Sequence, residues 1–192
     1  MDIRELDRKA LDTLGDLIAE VKPDQLRLPT PCADWTLHGL IRHQVSDNLG
    51  FAAAIGGAGP DIAVWNAGWL GDDPYAAYIA SADAVTAAFA GDDALDRELI
   101  VREFGIFPGR VALSMHVLDC TVHGWDVAQS LGVSYRPDSD LVEHALQVAA
   151  FIPADDTGDR PRSAFAPIIP VPDTATALDR LLALTGRRPS VL

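Results

Sequence analysis

A chain of 192 residues in which 48% are hydrophobic and 22% charged has the composition of a folded globular domain, which excludes disorder as its overall state. Fifteen Lys and Arg against 28 Asp and Glu leave a net charge of −13, a field that repels a phosphate backbone and argues against nucleic-acid partners. The longest uncharged stretch, Asn48 to Pro60, is too short and Gly-rich for the roughly 20 apolar residues of a membrane helix, and no membrane partner is expected.

The first residues mix both signs of charge where a secretory leader would be basic and then apolar, so a cytoplasmic location is expected. Ile3, Leu6, Ala10, Leu14, Leu17 and Val21 then recur at helical spacing and predict an amphipathic helix over Asp2 to Val21. Pro23, Pro29 and Pro31 break it, and Thr36 is placed to cap a second helix from Leu37 to about Ile55, stopped by Gly56 and Gly57. Residues 56–71 read as a loop with one helical turn at most. Asp72-Asp73-Pro74 opens a third helix ending near Gly91, and residues 92–108 hold only a small strand or extended link. A fourth helix runs from about Arg110 to Leu131 and stops at Gly132. Asp138 or Ser139 caps a fifth, with Leu141, Ala145, Val148 and Ile152 on its inner face. Five prolines over 153–172 exclude regular helix there, and a short last helix spans Thr174 to Thr185. Long helices joined by modest links make one all-α domain over 1–192, an up-and-down four-helix bundle with extra short helices and a Pro-rich C-terminal segment.

The chemistry concentrates on the fourth helix. Val111, Met115, Leu118, Val122, Trp125 and Gln129 form one stripe, expected to face the core. One residue further on, about 100° around, lie His116, Asp119, His123 and Asp126. Asp119 and His123 are an i, i+4 pair about 6 Å apart along the axis, close enough to converge on one divalent ion. His43, at the edge of the apolar stripe Leu37, Ile41, Val45 and Leu49, offers a third ligand, with Asp47 one turn later. Two imidazoles and a carboxylate leave positions open, as in a catalytic zinc, nickel or iron site. The ordinary alternatives stand beside this reading: a hydrogen-bonded structural histidine for His43, and a surface salt bridge for Asp119 with His123. His116 is expected to contact Asp119 or a site water without being an essential ligand. Asp126 either orients a histidine or faces solvent, and Cys120 packs as a small hydrophobe. His38 and His144 are expected to be structural or exposed. Cys32 and Cys120 form no CxxC pair, which removes thioredoxin-type chemistry and Cys-rich zinc sites. Lys9 and Lys22, the only lysines, follow no phosphate-cradling loop, and no Gly-x-Ser-x-Gly elbow is present.

Pro29 to Leu37, then His43, then Asp119-Cys120-Thr121-Val122-His123-Gly124-Trp125-Asp126-Val127-Ala128 resemble an actinobacterial family: metal-binding proteins related to the N-terminal domain of mycothiol-dependent maleylpyruvate isomerase, of the DinB/YfiT-like group. The segment from Phe165 to Pro172 and the Leu178 to Leu182 run are similar to the same family. The resemblance implies a four-helix bundle holding a divalent metal through His43, Asp119 and His123, and the handling of a low-molecular-weight thiol such as mycothiol or bacillithiol. The isomerase proper carries Glu at the acidic position, which here is Asp119. The function expected is therefore a metal-dependent thiol S-transferase or thiol-dependent isomerase acting on a small-molecule substrate. Asp47 is a weak candidate for proton transfer, and Arg160 and Arg162 are candidates to hold a substrate carboxylate, with a solvated loop as their ordinary reading. The rival is a non-catalytic binding or dimerisation module, and a homodimer is compatible with either.

Overall fold

Short polar side chains start the second and third helices where the sequence places them, at Thr36 and Asp73, whereas Asp138 precedes the fifth without a side-chain capping bond. In the computed structural model, which describes residues 2–32, 35–154 and 165–189, the Asp2 carboxylate accepts from the Arg4 amide and opens α1, Ile3–Ala19. Thr36 accepts from Gly39 and opens α2, Leu37–Ile55; Asp73 accepts from Ala76 and opens α3, Pro74–Phe89, with proline at its first position. α4, Gly109–Leu131, ends at Gly132, whose φ of 69° is the left-handed turn that frees the chain from the helix. α5, Ser139–Ala149, and α6, Ala177–Leu184, complete the helices; Thr176 and Asp179 cap α6 reciprocally.

The stretch at 92–108 forms a hairpin, so the fold is mostly helical and not all-α. β1, Glu98–Val101, pairs antiparallel with β2, Gly105–Pro108, with Leu99 opposite Phe107 and Val101 opposite Gly105. Leu99 and Val101 alternate into the core, which is why so short a hairpin is held. Arg102, at the turn, takes a left-handed φ of 46°. The helical turn within 56–71 is a 3-10 segment, Val64–Asn66, that buries Trp65.

α1 packs on α3 and α4, and α2 packs on α3 and α4. Leu14, Ile18, Leu37, Leu40, Ile41, Tyr78, Phe89 and Leu113 fill the space between them, and the Tyr78 hydroxyl donates to the Leu11 carbonyl. A smaller apolar cluster forms where α5 and α6 cover α4: Leu118, Val122, Ala145, Ala149 and Leu181. This corrects the assignment of faces on α4. The stripe through Leu118 and Val122 faces the smaller cluster, Val111 is partly in solvent, and Leu113, Val117, Cys120 and Val127 enter the main core. A helix covered on two sides buries polar positions as well, so its polar stripe lies inside the protein. No helix among the described residues is long and apolar enough to cross a membrane.

Candidate metal centre

α2 and α4 lie side by side, and that contact brings His43 to the Asp119–His123 pair. His43 Nε2 is 3.5 Å from Asp119 Oδ1, and His123 Nε2 is 3.4 Å from the same oxygen. The three ligand atoms lie within 4.8 Å of one another. Donors bonded at about 2.1 Å to one ion sit roughly 3 to 4 Å apart, so this spacing fits a shared divalent cation. The Gln44 amide donates from Nε2 to Asp119 Oδ2 at 2.7 Å, which turns Oδ1 toward the histidines. That bond also fixes the amide's orientation, and its buried Oε1 has no hydrogen-bond partner among the described residues.

Behind the histidines stand two aspartates. His123 Nδ1 lies 2.8 Å from Asp126 Oδ2, and a proton there leaves the Nε2 lone pair aimed at the common point. His43 Nδ1 faces Asp47 Oδ1 at 3.7 Å, beyond hydrogen-bond length. Trp35 lies against the His43 ring with centroids 4.7 Å apart, and the two imidazoles meet edge to face at 5.0 Å.

In the absence of a cation these groups share protons. Burial by itself would favour the neutral ring of His123, but Asp119 and Asp126 outweigh it and raise its pKa to about 9. Burial would likewise raise the Asp119 carboxyl; His123 and His43 reverse this and hold it well below the usual aspartate value. For Asp126 the balance against burial is struck by His123 and Arg187, and its pKa is lowered. Asp47 goes the other way, because its burial exceeds the help of His43 and Arg102.

Three of the four polar-stripe residues of α4 therefore belong to the site, and His116 does not. Its Nδ1 lies 2.6 Å from Asp7 of α1 and its Nε2 2.8 Å from Asn48 of α2, so the expected contact with Asp119 gives way to an interior network. The separation is along the axis: His116 points within about 20° of His123 but lies two turns, roughly 10 Å, before it, where Asp7 and Asn48 meet its ring. Asp47 is bound by Arg102 at 2.5 Å. Cys120 is 1% exposed within the main core, and its thiol is pushed up to about 11 by burial against the pull of His116. His38 is exposed and His144 half-buried, apart from the site as expected. Arg160 and Arg162 lie outside the described residues. Sequence reasoning missed Gln44, Arg102 and Arg187. Gln44 was readable as the neighbour of His43, whereas neither arginine sits in a periodic pattern.

The chain is similar to known proteins. The family model described as the mycothiol maleylpyruvate isomerase N-terminal domain matches residues 8–128, which contain His43, Asp119 and His123. This chain belongs to that family. Two relatives in Mycobacterium tuberculosis, the uncharacterized proteins Rv0738 and MT0763, are each 30% identical over 193 residues, spanning 97% of this chain and 98% of theirs. The crystal structure of a mycothiol-dependent maleylpyruvate isomerase superposes with a TM-score of 0.64 and 15% identity, covering 78% of this chain and 67% of that one. At that identity the likeness establishes a shared fold.

Proposed function

We propose that the protein is a cytoplasmic metal-dependent enzyme acting with a low-molecular-weight thiol, as an S-transferase or thiol-dependent isomerase, on a small-molecule substrate. Its four long helices serve as an up-and-down bundle that carries one divalent ion, zinc, nickel or iron, on His43, Asp119 and His123. The observation that carries this reading is the approach of two imidazole Nε2 atoms to one carboxylate oxygen at 3.5 and 3.4 Å.

A divalent ion held there would polarise a carbonyl or favour the thiolate form of a thiol whose free pKa is about 8.5. The chain's own residues do the rest. Gln44 holds one oxygen of Asp119 so that the other stays free for binding, and Asp126 holds the His123 ring at Nδ1. Trp35 lies against His43 and shields that side of the site from water. Asp47 with Arg102, and Asp126 with Arg187, are neutral as pairs, leaving Asp119 as the one uncompensated charge of the donor set. With a divalent cation the site is then positive by one, which suits an anionic thiol even on a chain of net charge −13, because exposed carboxylates beyond a Debye length of about 8 Å are screened. The membership of the mycothiol maleylpyruvate isomerase family supports the choice of a thiol.

The test is elemental analysis of protein purified without chelator, followed by calorimetric titration with mycothiol or a small thiol surrogate. The expected result is about one equivalent of divalent metal and thiol binding that vanishes in His123→Ala. Equal thiol binding by metal-stripped protein would overturn the mechanism and favour a non-catalytic bundle.

A further inference from the structure

Outside the three candidate ligands, the same arrangement occurs twice: an arginine on an aspartate on the Nδ1 side of a histidine. On α4, Asp126 is fully buried; its Oδ2 faces His123 Nδ1 at 2.8 Å and accepts from Arg187 Nη2 at 2.9 Å, with Arg187 Nε 3.4 Å from Oδ1. Arg187 comes from the segment after α6 and is itself 8% exposed. Its backbone amide bonds to Leu182 and its Nη1 to the Thr185 carbonyl, so the guanidinium is held at both ends. On α2, Asp47 lies 3.7 Å from His43 Nδ1 and is bound by Arg102 from the hairpin turn, which also donates to the Trp65 carbonyl and lies over the Trp65 ring.

We infer that Arg187 and Arg102 are positioning residues of the candidate metal centre, each fixing the aspartate that stands behind one histidine. This inference rests on the metal-site reading above. A buried aspartate left without its arginine is an uncompensated charge and is free to rotate or move toward other donors. His123 then loses the fixed acceptor that aims its Nε2 at the shared point, and His43 loses the charge that stands 3.7 Å from its Nδ1. Arg187 lies beyond residues 8–128, so the C-terminal segment is a working part of the site and not an appendage to it. The two arms are unequal. The Asp126 arm is hydrogen-bonded throughout, whereas Asp47 is drawn to Arg102 and stands off His43, so the Arg187 arm carries more of the positioning.

The experiment measures zinc affinity by competition with a chromophoric chelator, and the His123 Nδ1–H proton by NMR in the metal-free full-length protein. R187Q is expected to weaken zinc binding about 10- to 100-fold, the usual effect of losing a group that orients a ligand, and to broaden the Nδ1–H resonance. R102Q is expected to weaken it less. R188Q, at the exposed neighbour, leaves both readouts unchanged. R187K keeps the charge without the two-nitrogen grip and is expected to weaken binding several-fold; it decides the question if R187Q does not fold. Zinc affinity in R187Q or R187K within twofold of wild type overturns the inference while leaving the metal site standing. A wild-type protein that binds none of zinc, nickel and ferrous iron overturns the metal site, and the Nδ1–H resonance then decides separately whether Arg187 positions the ring.

Discussion

His116 shows how much the interior of this protein depends on one buried charge. Both of its ring nitrogens face acceptors: the Asp7 carboxylate, and the Asn48 carbonyl, whose own amide is committed to Ser81. Ser81 in turn donates to the Tyr78 carbonyl, so a single chain of hydrogen bonds links α1, α2, α3 and α4. The ring therefore carries two protons. Burial alone would lower its pKa, but Cys120 and Asp7 overcome this and raise it well above the usual histidine value. Asp7→Asn leaves a buried cation without its counter-charge and is expected to cost about 3–5 kcal/mol, read as a lower urea midpoint at unchanged slope. The same histidines set the pH dependence. His116 and His123 are raised in the folded state, so the stability they contribute is complete below the ordinary value of 6.5 and is lost as pH climbs, for His123 through about 9. Asp119 and Asp126 are lowered, so theirs is complete above 3.8 and lost in acid. Metal-free protein is thus expected to be most stable between these limits, with a melting temperature that falls steadily from pH 6.5 to 9; a flat profile over that range would contradict the shared-proton description. The spacing of His116, Asp119, His123 and Asp126 was legible because helical arithmetic needs one helix only. Asp7 was not, since its pairing depends on the register of α1 against α4, which no local pattern encodes.

Among the elements, helix starts were the most readable features, because a cap is a local interaction: Thr36 and Asp73 act where their sequence positions suggest. Two features were not readable. The faces of α4 could not be ranked from its own residues, since apolar neighbours cover it on opposite sides. The hairpin's short strands carry little alternation of their own and are held by the packing of Leu99 and Val101. The end of α6 carries a testable demand. Gly186 has a φ of 80°, and a Cβ there would stand 2.8 Å from the Ala166 backbone. Gly186→Ala therefore combines about 1–2 kcal/mol of left-handed strain with a clash that displaces the next residue, Arg187. The expected outcome is a loss of stability above that strain alone, measured by urea unfolding, and weaker zinc binding than wild type.

For the molecule as a whole, binding a cation is also a stability term. A ligand at one hundred times its dissociation constant adds about 2.7 kcal/mol to a folded state that alone binds it. Zinc is expected to raise the melting temperature of wild type, and a chelator to reverse the gain. His43→Ala should abolish the shift and weaken zinc binding far more than His116→Ala, compared in variants that calorimetry finds folded; the opposite order would place the third ligand at His116.

The position of α4 between two apolar clusters has a consequence for how the molecule opens. Leu113 and Val117 lie in the main core and Leu118 and Val122 in the smaller cluster with α5 and α6, so the middle of this helix is covered on two sides. Its amide hydrogens should exchange with solvent deuterium only through global unfolding, and those of α5 and α6 sooner, through a partial opening. That partial opening pulls Arg187 off Asp126 while the three candidate ligands stay on intact helices. Zinc should therefore slow exchange in α5 and α6 as well as around its own ligands, carrying the occupancy of the site to helices that contribute none of them.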